Sequence, residues 1–281
     1  MLIVVCGPTG VGKSDLSIKL AQTFNAEIIN ADSMQVYKKM DIATAKVTKE
    51  EQALVKHHLL DIKNYDEDYS IYDYQKDARA IIDNNPDKNY IIVGGSGLYI
   101  KSLLYNYKFS DEDTTNDYDD LSNEDLFYAA ILKDDKMNIH VNNRKRLVRF
   151  LNKEKAPDEE AYLMYPNTIF IGLTMDREAL YEKVANRVYQ MKDMGLIEEA
   201  RYFYDFHKDT KSLRTVIGYK ELFPYFDNQI SLEEALDNII KNTRHYIKRQ
   251  YTFFKNQFDL KWFDVTSDTY LEDVINYIKN Q

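Results

Sequence analysis

The chain has little of several things, and each shortage excludes something. It holds one cysteine, Cys6, in 281 residues. A disulfide framework is therefore excluded, and Cys6, at the end of an apolar run, reads as a small core residue rather than a nucleophile. No apolar run approaches the ~20 residues of a membrane span. The N-terminus carries no basic segment before its apolar run, and that run leads into a glycine loop, so it does not read as a signal peptide. The expected location is cytoplasmic. His and Cys show no metal-ligand spacing, and His57 and His58 read as structural or surface residues. No internal repeat is present. From Asp111 to Asp125 there are eight acidic residues and no basic one. That run weighs heavily in the formal net charge of −9. Net charge therefore does not decide against a nucleic-acid partner, and local patches must be read instead. Hydrophobic residues make up 44% of the chain, enough for a sizeable core.

What is present begins with Gly7-Pro8-Thr9-Gly10-Val11-Gly12-Lys13-Ser14. It fits the phosphate-loop pattern of glycine, four residues, glycine, lysine, then serine or threonine. An apolar run, Leu2 to Cys6, precedes it. Leu16, Ile18, Leu20, Ala21 and Phe24 follow at mostly helical spacing. Strand, glycine loop and helix are the context the motif needs. The loop amides and the helix start favour phosphate oxygens, and Lys13 adds a full positive charge. Ser14 is suited to hold a magnesium ion that bridges the phosphates. The spacing does not fit a dinucleotide loop. A diphosphate or triphosphate is expected here, attached to a group the loop does not specify.

Four further strand-like runs follow, at Ala26–Ala31, Tyr90–Val93, Thr168–Leu173 and Leu260–Val265. Helical segments separate them. The expected fold is an α/β, P-loop NTPase-like parallel sheet flanked by helices. Ligands in such sheets sit beyond the carboxyl ends of the strands. The phosphate loop, Asp32, Gly94 to Ser96 and Arg177 are all expected to line one cleft. Residues 109–159 break the alternation, with helical segments at Asp125–Leu132 and Asn142–Leu151. They read as a small helical insertion, a lid or arm, on a core of residues 1–108 and 160–281.

Asp32 follows the second strand. A carboxylate there can hold magnesium through water, act as general base, or serve as a turn or helix-cap residue. Gly94-Gly95-Ser96-Gly97 permits close backbone approach to a ligand, and Ser96 can donate a hydrogen bond or cap the next helix. Arg177 and Arg187 follow the fourth strand. They can neutralise charge on a transferring or leaving group, or pair with Glu178 or Glu182 on the surface. Two basic clusters stand out. Lys145, Arg146 and Arg149 share the outer face of a helix whose Leu147, Phe150 and Leu151 face inward. On a long helix, about Leu232 to Lys255, Leu236, Ile240, Thr243, Ile247 and Phe254 form the expected buried stripe. Lys241, Arg244, Lys248 and Lys255 form a second stripe, beside His245, Tyr246, Arg249 and Tyr251. Each cluster can be a solvated face or an RNA grip.

These segments together resemble the bacterial tRNA dimethylallyltransferases, or tRNA isopentenyl transferases. The resemblance rests on GPTGVGKS at 7–14, NADSMQVYKKMDIATAK at 30–46, HHLLDI at 57–62 and VGGSGLYI at 93–100. It continues through NNRKRLVRFL at 142–151, IGLTMDREALYEKVANRV at 171–188, IGYKEL at 217–222 and RHYIKRQYTFFKN at 244–256. The matches are collinear and cover most of the chain. The resemblance implies transfer of a dimethylallyl group from dimethylallyl diphosphate to the exocyclic amine of the adenosine just 3′ of a tRNA anticodon. By position it implies that Thr9 to Ser14 hold the donor diphosphate, within a loop running from Gly7 and Pro8, with Arg187 beside it. Asp32 becomes the general base, and Ser96 a second catalytic residue, standing where threonine is usual. Asp32, Ser33, Met34 and Gln35 become tRNA contacts. So do Lys145, Arg146, Leu147, Val148 and Arg149, then Gly218, Tyr219 and Lys220, and Arg244 and Lys248. The implied cofactor is Mg2+, at Ser14. The implied partners are the tRNA anticodon stem-loop and the prenyl donor, with no membrane, and the protein is expected to be a monomer. The family's loop is commonly described as ATP-binding. The stretch between about Tyr107 and Thr168 is shorter than is usual in the family.

Two rivals remain. A small-molecule or nucleotide kinase would use ATP at the same loop, but it leaves the Asp32 and Gly94 segments and the basic aromatic helix unused. A non-enzymatic RNA-binding protein leaves the phosphate loop unexplained.

Overall fold

The computed structural model describes residues 1–109, 118–152, 161–207, 209–210 and 212–281. In chain order the elements open with β1 (Leu2–Cys6), α1 (Lys13–Phe24), β2 (Ala26–Asn30), α2 (Lys49–Leu54), β3 (His57–His58), α3 (Ile71–Asp83), β4 (Asn89–Val93) and α4 (Gly97–Leu104). Next come α5 (Asn123–Lys133) and α6 (Arg144–Asn152). The chain closes with β5 (Thr168–Thr174), α7 (Arg177–Asp193), α8 (Leu196–His207), α9 (Phe223–Phe226), α10 (Leu232–Gln257), β6 (Lys261–Asp264) and α11 (Tyr270–Lys279).

The six strands form one parallel sheet in the order β3-β2-β4-β1-β5-β6. Both faces of the sheet are covered, as the apolar strands require. Leu2, Val4 and Cys6 of β1 point into one core, and Ile3 and Val5 point into the other. The period of two in a strand separates them. β3 is a finding the sequence reading did not contain. It is two residues long, and its histidines are held by polar contacts that no periodicity reveals. His58 Nε2 lies 2.6 Å from Glu27 Oε2, and His57 Nδ1 lies 2.8 Å from the Val55 carbonyl.

Helix starts follow local chemistry. Thr48, Ser70 and Ser122 close capping boxes on α2, α3 and α5, each satisfying amides that the first turn leaves open. Asp176 accepts from the Glu178 and Ala179 amides to start α7.

The chain divides into two compact units, Met1–Tyr105 with Leu163–Gln281, and Asn106–Tyr162. In the first, an antiparallel bridge joins Tyr105 to Leu163, and Met164 N donates to Leu104 O at 2.7 Å. These contacts draw together the two points where the inserted segment leaves and rejoins. The second unit packs α5 on α6 around Leu126, Ala130 and Leu147. Residues 111–117 of the acidic run lie outside the described residues, as does the end of the expected insertion. Among the described residues no helix is long and apolar enough to cross a membrane.

Candidate active site

The phosphate loop joins β1 to α1. Gly7, Gly10 and Gly12 take φ values of +151°, +83° and +110°. The last two lie firmly in the region that side chains with a Cβ resist. Gly10 has a second reason to lack a side chain, because a Cβ there would meet Val184 Cγ2 of α7 at 2.8 Å. Lys13 Nζ donates to Pro8 O at 2.9 Å, arching over the loop. Burial lowers the Lys13 ammonium to a pKa of about 8, partly opposed by attraction to Asp32, with Arg187 pushing it further down. Cys6 is fully buried and its thiol is pushed up by burial, in keeping with a core role.

Asp32 follows β2, next in the sheet to β4 and one strand removed from β1. Asn30 shapes the turn. Its Oδ1 accepts from Asp32 N at 3.1 Å, and its Nδ2 donates to Leu59 O at 3.0 Å. Asp32 Oδ1 accepts from Met34 N at 3.0 Å. Burial raises the Asp32 carboxyl above the ordinary carboxylate range, against the opposing pull of the Met34 amide and Lys13. The raised carboxyl and the lowered lysine share one cause, desolvation by burial, partly offset by their attraction to each other.

The third strand-end segment explains its glycines by contact. A Cβ on Gly94 would sit 2.1 Å from Ala31 O, and one on Gly97 would sit 2.3 Å from Phe253 Cδ1. Ser96 occupies the helix-cap position of α4 but makes no cap hydrogen bond. Its Oγ accepts from Ser33 N at 3.0 Å and donates to Ser33 Oγ at 3.1 Å. It lines neither cavity described below. Ser96 is thereby tied to the turn that carries Asp32.

Two adjoining cavities meet at this place. A cleft of about 720 Å³ is lined by Thr9, Gly10, Gly12, Lys13, Ser14, Asp32 and Arg187, with Gln35 and the Gly94-Gly95 backbone. A second cavity of about 270 Å³ is mostly apolar, with Val184, Val188, Met191, Leu196 and Ile239 in its walls. Thr9, Asp32, Thr44, Ala45 and Arg187 border both. The combined space suits a ligand with a charged end and an apolar end.

Arg177 is a correction. It opens α7 on the exposed side, where its Nε donates to Tyr181 OH at 3.0 Å and its guanidinium covers that ring. It lines neither cavity. Arg187, farther along the same helix, turns into the cleft, and burial lowers its pKa. The two are ten residues apart, about 15 Å along α7, with Arg177 in its first turn.

The segments assigned to RNA by resemblance divide by burial. Ser33, Met34 and Gln35 are partly exposed, and Gln35 Nε2 donates to Thr44 O at 3.0 Å. Lys145, Arg146 and Arg149 are exposed and Val148 partly so, whereas Leu147 is fully buried and braces α6 from beneath. Lys220 is exposed, but Gly218 is buried and Tyr219 is 0% exposed. The Tyr219 hydroxyl donates to Glu199 Oε1 at 2.6 Å. The side chains of Leu147 and Tyr219 therefore pack inward, as supports. On α10, Leu236, Ile240, Ile247 and Phe254 are buried as expected, and Thr243 is half-buried. Lys241, Lys248 and Lys255 are exposed. Arg244 is not. It is half-buried over the Tyr181 ring, 5.3 Å from its centroid, with a buried Nε that has no partner. Its place beside α7 takes it out of the exposed stripe.

Sequence reasoning missed three side chains here. Glu199 accepts from the Asp41, Ile42 and Ala43 amides and so shapes the loop leading to Thr44 and Ala45. Glu221 accepts from Gly218 N at 2.8 Å and from Asn242 Nδ2 at 2.7 Å. Gln250 reaches the phosphate loop itself. No local pattern distinguishes these residues from surface polar groups on helices.

A parallel sheet whose inner strand feeds a glycine-rich phosphate loop, with a carboxylate on a nearby strand end, makes this a P-loop NTPase-like α/β protein. The chain belongs to the IPP transferase family, whose model matches residues 35–257. That match begins just past the phosphate loop and Asp32, but individual relatives extend through both. A tRNA dimethylallyltransferase of Anoxybacillus flavithermus is 43% identical, covering 99% of this chain and 94% of that protein. One from Streptococcus agalactiae is 44% identical, covering 97% and 95%. Among solved structures, the tRNA isopentenylpyrophosphate transferase of Bacillus halodurans is similar at a TM-score of 0.78. It is 38% identical, with 99% of this chain and 95% of that one covered. A eukaryotic dimethylallyltransferase acting on tRNA is similar at a TM-score of 0.81 with 27% identity. There 100% of this chain and 80% of the other are covered.

Proposed function

We propose that the protein is a tRNA dimethylallyltransferase. It moves the dimethylallyl group of dimethylallyl diphosphate to the exocyclic amine of the adenosine next to the anticodon on its 3′ side. The observation that carries this reading is the position of Asp32 on the border between the phosphate-loop cleft and the apolar cavity. The relatives at 43% and 44% identity, named for this activity over nearly their whole length, support it.

The chemistry follows from what each group can do. An exocyclic adenine amine is a weak nucleophile, because its lone pair is delocalised into the ring. As its nitrogen bonds to the prenyl C1, Asp32 takes the amine proton. The C1–O bond breaks, and its electron pair leaves on the diphosphate. Lys13, the loop amides and Arg187 take up that charge. The mostly apolar second cavity keeps water from competing with the amine for C1. A base stacked in an anticodon must turn out to reach this depth. A magnesium ion would be held by the exposed Ser14 hydroxyl together with the donor diphosphate. Its chemistry would be neutralisation of the departing diphosphate. Among the described residues no group of three or more His, Cys, Asp or Glu forms a separate metal cluster. A cytoplasmic monomer is part of the same proposal.

Incubation with unmodified tRNA and labelled dimethylallyl diphosphate, with and without ATP, tests it. Label is expected in tRNA without ATP. Phosphoryl transfer from ATP with no labelled tRNA would select the kinase instead.

The exposed lysines of α10 supply a further expectation. Replacing Lys241, Lys248 and Lys255 together by glutamine should weaken tRNA binding. It should also flatten its log–log salt dependence by up to ~0.9 per lost phosphate contact. Pyrophosphate affinity should stay unchanged. Unaltered tRNA binding would leave these lysines as a solvated face and move docking to Lys145, Arg146 and Arg149.

A further inference from the structure

We propose that Gln250 is a positioning residue that ties the donor-binding loop to the acceptor side of the site, so that the two reactants are held in register. This rests on the transferase reading above. It starts from a buried polar group that the reaction itself does not use.

Gln250 is 4% exposed and lies in the interior of α10. Its side-chain amide is fully engaged at both ends. Oε1 accepts from Thr9 N at 2.9 Å, and Nε2 donates to Gly95 O at 3.0 Å. The bonds join residues 241 and 155 positions apart in the chain. Thr9 belongs to the phosphate loop. Gly95 adjoins Asp32, since a Cβ on Gly95 would lie 3.6 Å from Asp32 Oδ2. One side chain therefore touches both halves of the site.

The contact is built into the backbone. A Cβ on Gly95 would approach Gln250 Nε2 to 2.4 Å, so the absence of a side chain at 95 is what admits the amide. Phe253, one turn on, closes over Gly97 in the same way. The helix carrying Gln250 is 26 residues long and anchored by Leu236, Ile240, Ile247 and Phe254, so it is a stiff reference for both loops. Only a primary amide satisfies both partners. The Thr9 amide needs an acceptor and the Gly95 carbonyl needs a donor. A carboxylate keeps the first bond, loses the second and brings a negative charge toward the diphosphate. A thioether of similar length loses both. The Thr9 amide hydrogen is already bonded to Gln250, which leaves the later loop amides to hold the phosphates. Losing the tie should therefore cost alignment more than donor binding, and alignment errors near 1 Å cost on the order of a hundredfold in rate.

Gln250→Met and Gln250→Glu test this in the full chain, with three readouts. The first is single-turnover prenyl transfer well below each melting temperature. The second is pyrophosphate affinity. The third is amide exchange across residues 93–99 with and without pyrophosphate. For Gln250→Met the expected result is a rate at least about tenfold lower, with pyrophosphate affinity within about threefold of the parent. In the parent, pyrophosphate should slow exchange across 93–99 as well as in the phosphate loop, and in Gln250→Met only in the phosphate loop. Gln250→Glu preserves size and polarity should the other variant not fold. It should lose rate and bind pyrophosphate more weakly. A transfer rate within twofold of the parent in either folded variant overturns the proposal. So does a rate loss in Gln250→Met matched by an equal loss of pyrophosphate affinity, because that is the signature of a merely structural role. Should the parent itself transfer no prenyl group, the transferase reading falls. The exchange comparison then decides the loop coupling alone: retained 93–99 protection in Gln250→Met overturns it, and loss of that protection upholds it.

Discussion

Asp32→Asn is expected to lower the single-turnover rate of prenyl transfer by a factor of roughly a hundred to ten thousand, the usual cost of losing a general base. Asparagine keeps the shape and an oxygen for the Met34 amide that Asp32 Oδ1 now serves, so the turn should survive. Pyrophosphate affinity should change little, because the proposed site rests the phosphates on Lys13 and the loop amides. Removing a negative charge from the cleft can even tighten anion binding slightly. The pH profile sharpens the test. A base works when deprotonated, and burial raises the Asp32 carboxyl. The parent rate should therefore begin to fall, as pH is lowered, above the range where an ordinary carboxylate titrates. Asp32→Asn should lack that acid limb. If Asp32 instead held magnesium, donor binding would weaken and excess magnesium would restore it. If it were only a turn residue, the melting temperature would drop with transfer largely kept. Near-normal single-turnover transfer by Asp32→Asn would sink the general-base assignment.

Lys13→Met should remove most of the stabilisation that pyrophosphate gives. A charge-assisted hydrogen bond contributes about 1.5–3 kcal/mol, or roughly ten- to a hundredfold in affinity. At a ligand concentration 100 times the parent dissociation constant, the parent gains about 2.7 kcal/mol. A variant bound a hundredfold more weakly gains only about 0.4 kcal/mol under the same conditions. For a chain of this size that is a melting shift reduced from several degrees to about one. The Lys13 pKa of about 8 adds a signed expectation. The ammonium attracts the anion only while protonated, so parent affinity should fall as pH rises through about 8. Pyrophosphate titrates too, but Lys13→Met in the same buffers carries that contribution alone, and the difference between the proteins isolates the lysine. Equal shifts in both proteins would place the phosphates elsewhere.

Much of the site was legible because its parts are local. The phosphate loop is eight contiguous residues, and its conformation follows from glycines at 7, 10 and 12 whose φ values are positive. Asp32 and Gly94 were found as residues ending apolar runs, and parallel sheets gather strand ends on one side. The runs at 168–173 and 260–265 correspond closely to β5 and β6. β3 escaped notice because two paired residues carry no period.

What the residues determined by themselves was the chemistry available: a phosphate loop, a carboxylate, cations on helices, and an α/β order. Tertiary structure alone decided which of those groups meet. Arg187 rather than Arg177 lines the cleft because Arg177 stands at the first residue of α7, about 15 Å along the helix from Arg187. Arg244 turns from the basic stripe to cover Tyr181, because α10 packs against α7 along that side. Tyr219 and Leu147, assigned to RNA by position, are buried supports. Gln250 looked like any polar helix residue until α10 brought it against Thr9 and Gly95. The reason is physical. Helical periodicity tells which residues share a face, but a helix packed on more than one side has no unique outward direction. The partner of each face is chosen by packing between segments separate in the sequence, which no local pattern encodes.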